Sequence, residues 1–161
     1  MEVGDFMNYE DLLIEAEQQG LKVQELPLPL SDGRIKGKRI AIRMDIPTIA
    51  QKADVLAEEL GHYHTTVGKI IELDTIDSCK QERRARVWAY NKRIGMHGIV
   101  DAYKHHCSNR YEIANYLGVS EEFFQDALEC YQQIYEYGVM VDNYYVQVNP
   151  HLEVFEYYLV E

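Results

Sequence analysis

The chain has 161 residues, 47% of them hydrophobic, with 27 acids against 16 Lys and Arg for a net charge of −11. That length fits one domain, or one domain with a small appendage, and buries a core without cross-links; Cys79, Cys107 and Cys130 are too few and too widely spaced for a disulfide framework or a Cys-x-x-Cys zinc ribbon. The opening "MEVGDFMNYEDLL" lacks a basic start and an apolar run, and no stretch approaches a membrane span, so a cytoplasmic protein without membrane contact is expected.

In chain order, "YEDLLIEAEQQG" (9–20) places Leu12, Leu13 and Ala16 on one helical face and ends in the helix-stopping Gly20. Residues 22–45 change to short β-like pieces, in which Ile40, Ile42 and Met44 alternate with Arg39, Ala41 and Arg43. A small sheet with a basic outer face is expected, and its strand over 39–44 is a candidate edge for laying down an extended substrate. Thr48 is placed to cap a long helix reaching about Thr66, with Ile49, Ala53, Leu56, Leu60 and His64 on one apolar stripe and Glu58, Glu59 and His62 on the other side. After a loop around "ELDTIDS" (72–78), a second amphipathic helix over 79–94 has Ala85, Trp88 and Ala89 on its buried side. Glu82, the only acid in that helix, lies on the same side.

Shorter helices are expected over about 97–106, 110–117 and 120–136. The last two form a helix-turn-helix-like pair with Ser120 as N-cap. The end reads as a small hairpin about Asp142-Asn143 followed by an aromatic tail. Charge is uneven along the chain: residues 80–110 hold eight Lys and Arg against two acids, whereas 111–161 hold ten acids and neither Lys nor Arg.

The stretch "AEELGHYHT" (57–65) carries the chemistry. A helical H-E-x-x-H signature needs two metal ligands at i and i+4, because one helix face must present both to one ion. Here Glu58 stands in the first ligand position, His62 in the second, and Glu59 in the general-base position beside the first. Glu82, on the next helix, can supply a third ligand, and an acid on an Ala/Trp/Ala stripe needs a partner that a metal would provide. The bland alternative is a solvated helix face, a surface histidine and a Glu82–Arg86 salt bridge. Glu59-x-x-His62 is also the element of di-iron bundles, but such a site needs two copies and the sequence holds one.

Together these pieces resemble the ImmA/IrrE family of metallopeptidases. The features are "LAEELGHYHT" in the H-E-x-x-H slot, "QERRARVWAY" as the downstream Glu-containing helix, and "EIANYLGVSEEFFQDAL" as the helix-turn-helix-like part. The resemblance runs from about residue 9 to about 136 and implies an α+β, mostly helical zincin-like domain with a small N-terminal sheet over 1–95, then a helical, helix-turn-helix-like part with a short β/aromatic tail over 96–161. It implies a zinc-dependent endopeptidase with His62 and Glu82 as metal ligands and Glu59 activating water, to which the i, i+4 spacing adds Glu58 as a third ligand. The substrate implied is a phage or mobile-element helix-turn-helix repressor, whose cleavage relieves repression.

Glu58 stands where the family pattern has its first His, which leaves two outcomes. A carboxylate is a competent zinc ligand at a similar reach, and a Glu/His/Glu set favours Mn²⁺ more than a His-rich one does; the alternative is a zincin-like module that regulates a repressor by binding it without cutting. Direct DNA binding is not expected, because the second helix of the pair, "SEEFFQDALEC", carries four acids and no Lys or Arg to approach phosphates.

Overall fold

A computed structural model describes residues 7–66 and 75–158. The chain divides into two compact units, one ending at Arg93 and the other running from Ile94. In the first unit the elements are α1 (Tyr9–Gln18), β1 (Lys22–Leu26), β2 (Gly33–Lys36), β3 (Arg39–Arg43), α2 (Ile49–Thr66) and α3 (Thr75–Arg93).

Asn8 starts α1 with a reciprocal cap: its Oδ1 accepts from the Asp11 amide at 3.0 Å while Asp11 Oδ2 accepts from the Asn8 amide at 3.0 Å. Leu12 and Ala16 are fully buried, as their spacing on one helical face requires. Gly20, at φ 78°, then turns the chain into β1 in a backbone conformation that costs glycine little.

The sheet has the order β1-β3-β2, with β1 parallel and β2 antiparallel to β3. Ile40 and Ile42 point into the core at 2% and 0% exposure, while Arg39 and Arg43 stand on the other face. Two expectations fail here. The strand stops at Arg43, so Met44 does not continue the alternation and is 53% exposed. Nor is β3 an edge: it is hydrogen-bonded on both sides, which leaves no backbone groups there to receive a substrate strand.

Thr48 caps α2, its Oγ1 accepting from the Gln51 amide at 3.1 Å. Ala53, Leu56 and Leu60 form the buried stripe, but the stripe is shorter than the periodicity predicts: Ile49 is 69% exposed at the first turn, and His64 is exposed near the other end. A Lys52–Glu25 ion pair ties α2 to β1. The helix α3 begins at Thr75, four residues before the expected start, so the later part of the expected loop is helical; residues 72–74 of that loop lie outside the described residues. Ala85 and Ala89 are fully buried against α2. At the far end of α3, Arg93 is 2% exposed and donates to Asp54 of α2 at 3.2 Å and to the Met7 carbonyl at 2.6 Å.

The second unit contains α4 (Gly95–Lys104), α5 (Arg110–Leu117), α6 (Glu121–Tyr135), β4 (Gly138–Val141), β5 (Tyr144–Gln147) and β6 (Glu153–Glu156). Gly118, at φ 71°, ends α5 in the left-handed conformation, and Ser120 Oγ caps α6 by accepting from the Phe123 amide at 3.1 Å. The expected hairpin is β4–β5, turning at Asp142-Asn143; the expected tail contributes a third strand, giving the order β4-β5-β6. The fold is therefore α+β and mostly helical, with a small N-terminal sheet and a helix-turn-helix-like pair in its C-terminal half. No disulfide joins the three cysteines, and among the described residues no helix is long and apolar enough to cross a membrane.

Candidate metal centre

The helices α2 and α3 carry all four residues singled out from the sequence. What brings them together is Gly61, one residue before His62. A Cβ built on Gly61 would lie 2.3 Å from the Ala85 carbonyl oxygen, so no side chain fits between the helices at that point. An isolated glycine inside a helix costs about 1 kcal/mol relative to alanine and is a signal of close backbone approach. This closeness places the turn holding His62 against the turn holding Glu82.

His62 Nε2 lies 3.3 Å from Glu82 Oε2. Their side chains are 25% and 46% exposed, so the pair sits at the margin of the helix interface with one side open. Glu82 also faces Arg86, whose Nε is 3.7 Å from its other oxygen. Glu82 is thus both the i, i+4 partner of Arg86 and the neighbour of His62. Two donors on one tetrahedral ion, with bonds of about 2.0–2.1 Å, stand roughly 3.3–3.4 Å apart. The observed separation suits a shared metal as well as it suits a hydrogen bond.

Glu58, one helical turn before His62, is half-buried. Among the described residues no three His, Cys, Asp or Glu side chains converge as a ready-made metal cluster, so Glu58 is not drawn up to the His62/Glu82 pair. It lies at the i, i+4 position from which a side-chain rotation reaches the same side of the helix. The His62/Glu82 pair therefore fits two ligands of a divalent metal, with Glu58 on the same helix one turn away.

Glu59 is the largest departure from the helical-wheel expectation. It does not share a solvated face with Glu58 and His62 but is 9% exposed, packed beneath β2. A Cβ on Gly33 would fall 2.6 Å from Val55 Cγ1 and 2.8 Å from Glu59 Oε1, so the bare backbone of Gly33 covers the carboxyl. Burial, followed by the nearby charges of Glu58 and Glu82, pushes the Glu59 pKa up to about 7. A carboxyl near neutrality exchanges protons readily at physiological pH, the property a general base and acid needs.

His64, two residues beyond His62, is turned away from this cluster. Its ring stacks on Trp88 at 4.8 Å between centroids, on the rim of the α2–α3 contact.

The family model described as Peptidase M78, IrrE N-terminal-like domain, matches residues 16–129, well over half of the chain, taking in α2, α3 and α5 and the first part of α6. No curated protein and no solved structure matches the chain.

Proposed function

We propose, from the premise that this chain belongs to the IrrE N-terminal-like family of metallopeptidases, that it is a metal-dependent endopeptidase whose substrate is a phage or mobile-element helix-turn-helix repressor, and that cleavage relieves repression. The observation that carries the chemistry is the 3.3 Å approach of His62 to Glu82 beside a buried carboxyl at Glu59.

His62 and Glu82 would hold the metal, with Glu58 as the third ligand after its side chain rotates. Zinc fits a mixed nitrogen and oxygen set, and Mn²⁺ competes where two of three ligands are carboxylates. When bound, the metal supplies Lewis acidity at the scissile carbonyl and promotes ionisation of water. Glu59 takes the proton from the attacking water and returns it to the leaving nitrogen. Its cover by Gly33 keeps bulk water from competing for that proton.

A protein substrate is preferred to DNA because α6 presents Glu121, Glu122, Asp126 and Glu129 with no compensating Lys or Arg. The test combines metal content with cleavage. Tag-free protein is analysed by mass spectrometry as wild type, His62→Ala and Glu82→Ala, then incubated with a purified phage-type helix-turn-helix repressor. About one metal per chain, lost in both variants, together with repressor cleavage abolished by Glu59→Gln, supports the reading. A protein that takes up no zinc or manganese, or cleavage that persists in Glu59→Gln, overturns it.

A further inference from the structure

The second unit holds a cavity of about 1020 Å³, remote in sequence from α2 and α3. Its floor is apolar: Ile99 of α4, Ile113 of α5 and Leu128 of α6 line it and are each less than 10% exposed. One side is formed by the continuous run from Pro150 to Phe155. Successive strand residues point to opposite faces, so a run that lines a cavity without interruption meets it along the strand's edge.

That edge is open. In the order β4-β5-β6, the strand β6 is hydrogen-bonded to β5 on one side, and no other described strand pairs with it. The Tyr157 amide donates to the Asn143 carbonyl at 2.7 Å, which fixes the phase of the ladder. Phe155 and Glu153 therefore bond toward β5, and Val154 and Glu156 turn their amide and carbonyl groups outward.

The rim supplies charge. Glu121 and Glu122 at the start of α6 are exposed, and the Glu153 side chain is 48% exposed. Arg110 is the one Lys or Arg lining the cavity, and its guanidinium donates to Gln125. His151 Nε2 lies 3.1 Å from Glu153 Oε1, and 111–161 holds neither Lys nor Arg to face Glu121 and Glu122.

We propose that this cavity is a docking groove for an extended peptide segment that adds to the open edge of β6, its apolar side chains alternating with Lys or Arg. Backbone pairing with Val154 and Glu156 supplies affinity, as in other strand-addition sites. The period of two sends one set of side chains to the Ile99/Ile113/Leu128 floor and the other to the glutamate rim. A second copy of this chain is a poor occupant: its own β6 begins and ends in an acid, Glu153 and Glu156, and offers no Lys or Arg to the glutamate rim, so like charges would be brought together. The proposal rests on the second unit alone and stands independently of the peptidase reading.

The test uses the full chain in EDTA, so that no cleavage intervenes, and a fluorescein-labelled peptide of alternating Val and Lys read by fluorescence anisotropy. A peptide of alternating Val and Glu serves as control. Saturable binding of the basic peptide is expected. Val154→Pro, which removes an outward amide that an edge strand can lose without harm to its own ladder, should weaken it by about tenfold. Glu121→Lys/Glu122→Lys, on exposed positions, should weaken it and give measurable binding of the acidic peptide. The proposal is overturned if the wild type fails to bind the basic peptide, if it binds both peptides equally, or if neither variant alters binding. Sedimentation that shows a dimer lost in Val154→Pro would assign the edge to a second copy and overturn it also.

Discussion

Gly61 and Ala85 meet so closely that a methyl group on Gly61 would fall 2.3 Å from the Ala85 carbonyl oxygen. Gly61→Ala should therefore act in two opposed ways. It gains about 1 kcal/mol in helix propensity and loses roughly 1–3 kcal/mol to overpacking against backbone that cannot swing aside. Net destabilisation is expected, together with a wider His62–Glu82 separation and weaker metal binding. Urea unfolding and a zinc titration on the same preparation check it. A variant as stable as wild type with undiminished zinc affinity would show that the helix approach does not set the site.

Glu59 makes the metal-free protein's stability depend on pH in a direction opposite to that of most carboxylates. Its folded pKa of about 7 lies above the ordinary carboxyl value of 4.5, so between those pH values the folded state holds a proton the unfolded state has lost. The contribution is fully present below pH 4.5 and disappears as pH rises through 7. At pH 8 the buried charge costs on the order of 1–3 kcal/mol. Glu59→Gln in EDTA should recover that amount at pH 8 and little at pH 4.5. Denaturant midpoints of both proteins at the two pH values decide it, and an equal effect at both would place the carboxyl in a wetter setting.

The contrast between Glu59 and His62 explains how much was legible in the sequence. His62 and Glu82 are recoverable from spacing because local helical geometry and an acid on an apolar stripe suffice to suggest them. The burial of Glu59 depends on Gly33 of β2 settling over it, a contact between segments 26 residues apart in sequence that no helical period encodes. The same limit applies to β3. Its alternation of Ile and Arg identifies a half-buried strand, but pairing partners are decided by the chain before and after, and these make it the central strand. For β6 the alternation is too short among neighbouring aromatics to stand out, and pairing with β5 defines it. The helices α1, α5 and α6 read most directly because the stops at Gly20 and Gly118 and the cap at Ser120 are local chemistry.

Arg93 and Asp54 form a buried ion pair, at 2% and 5% exposure. Asp54→Ala should destabilise the first unit by about 3–5 kcal/mol, since it leaves a guanidinium in the core with burial already lowering its pKa and its compensating charge removed. The double variant Asp54→Leu/Arg93→Met removes both charges and should recover much of that loss. A double-mutant cycle by urea unfolding measures the coupling; additive effects of the two single changes would show that the pair contributes through packing alone.

Arg86 offers the finest adjustment of the metal centre. Its Nε is 3.7 Å from Glu82 Oε1, and its side chain is 55% exposed. The guanidinium both competes for the carboxylate and opposes an incoming cation. Exposed ion pairs contribute about 0.2–1 kcal/mol, so Arg86→Gln should tighten zinc binding by roughly two- to fivefold with little change in stability. The gain should shrink at high salt, where the Arg86 charge is screened in the wild type as well. Competition against a chromogenic zinc chelator at low and high ionic strength reads both effects. Weaker zinc binding in Arg86→Gln would mean that Arg86 holds Glu82 in the orientation the metal needs, making it a positioning residue rather than a competitor.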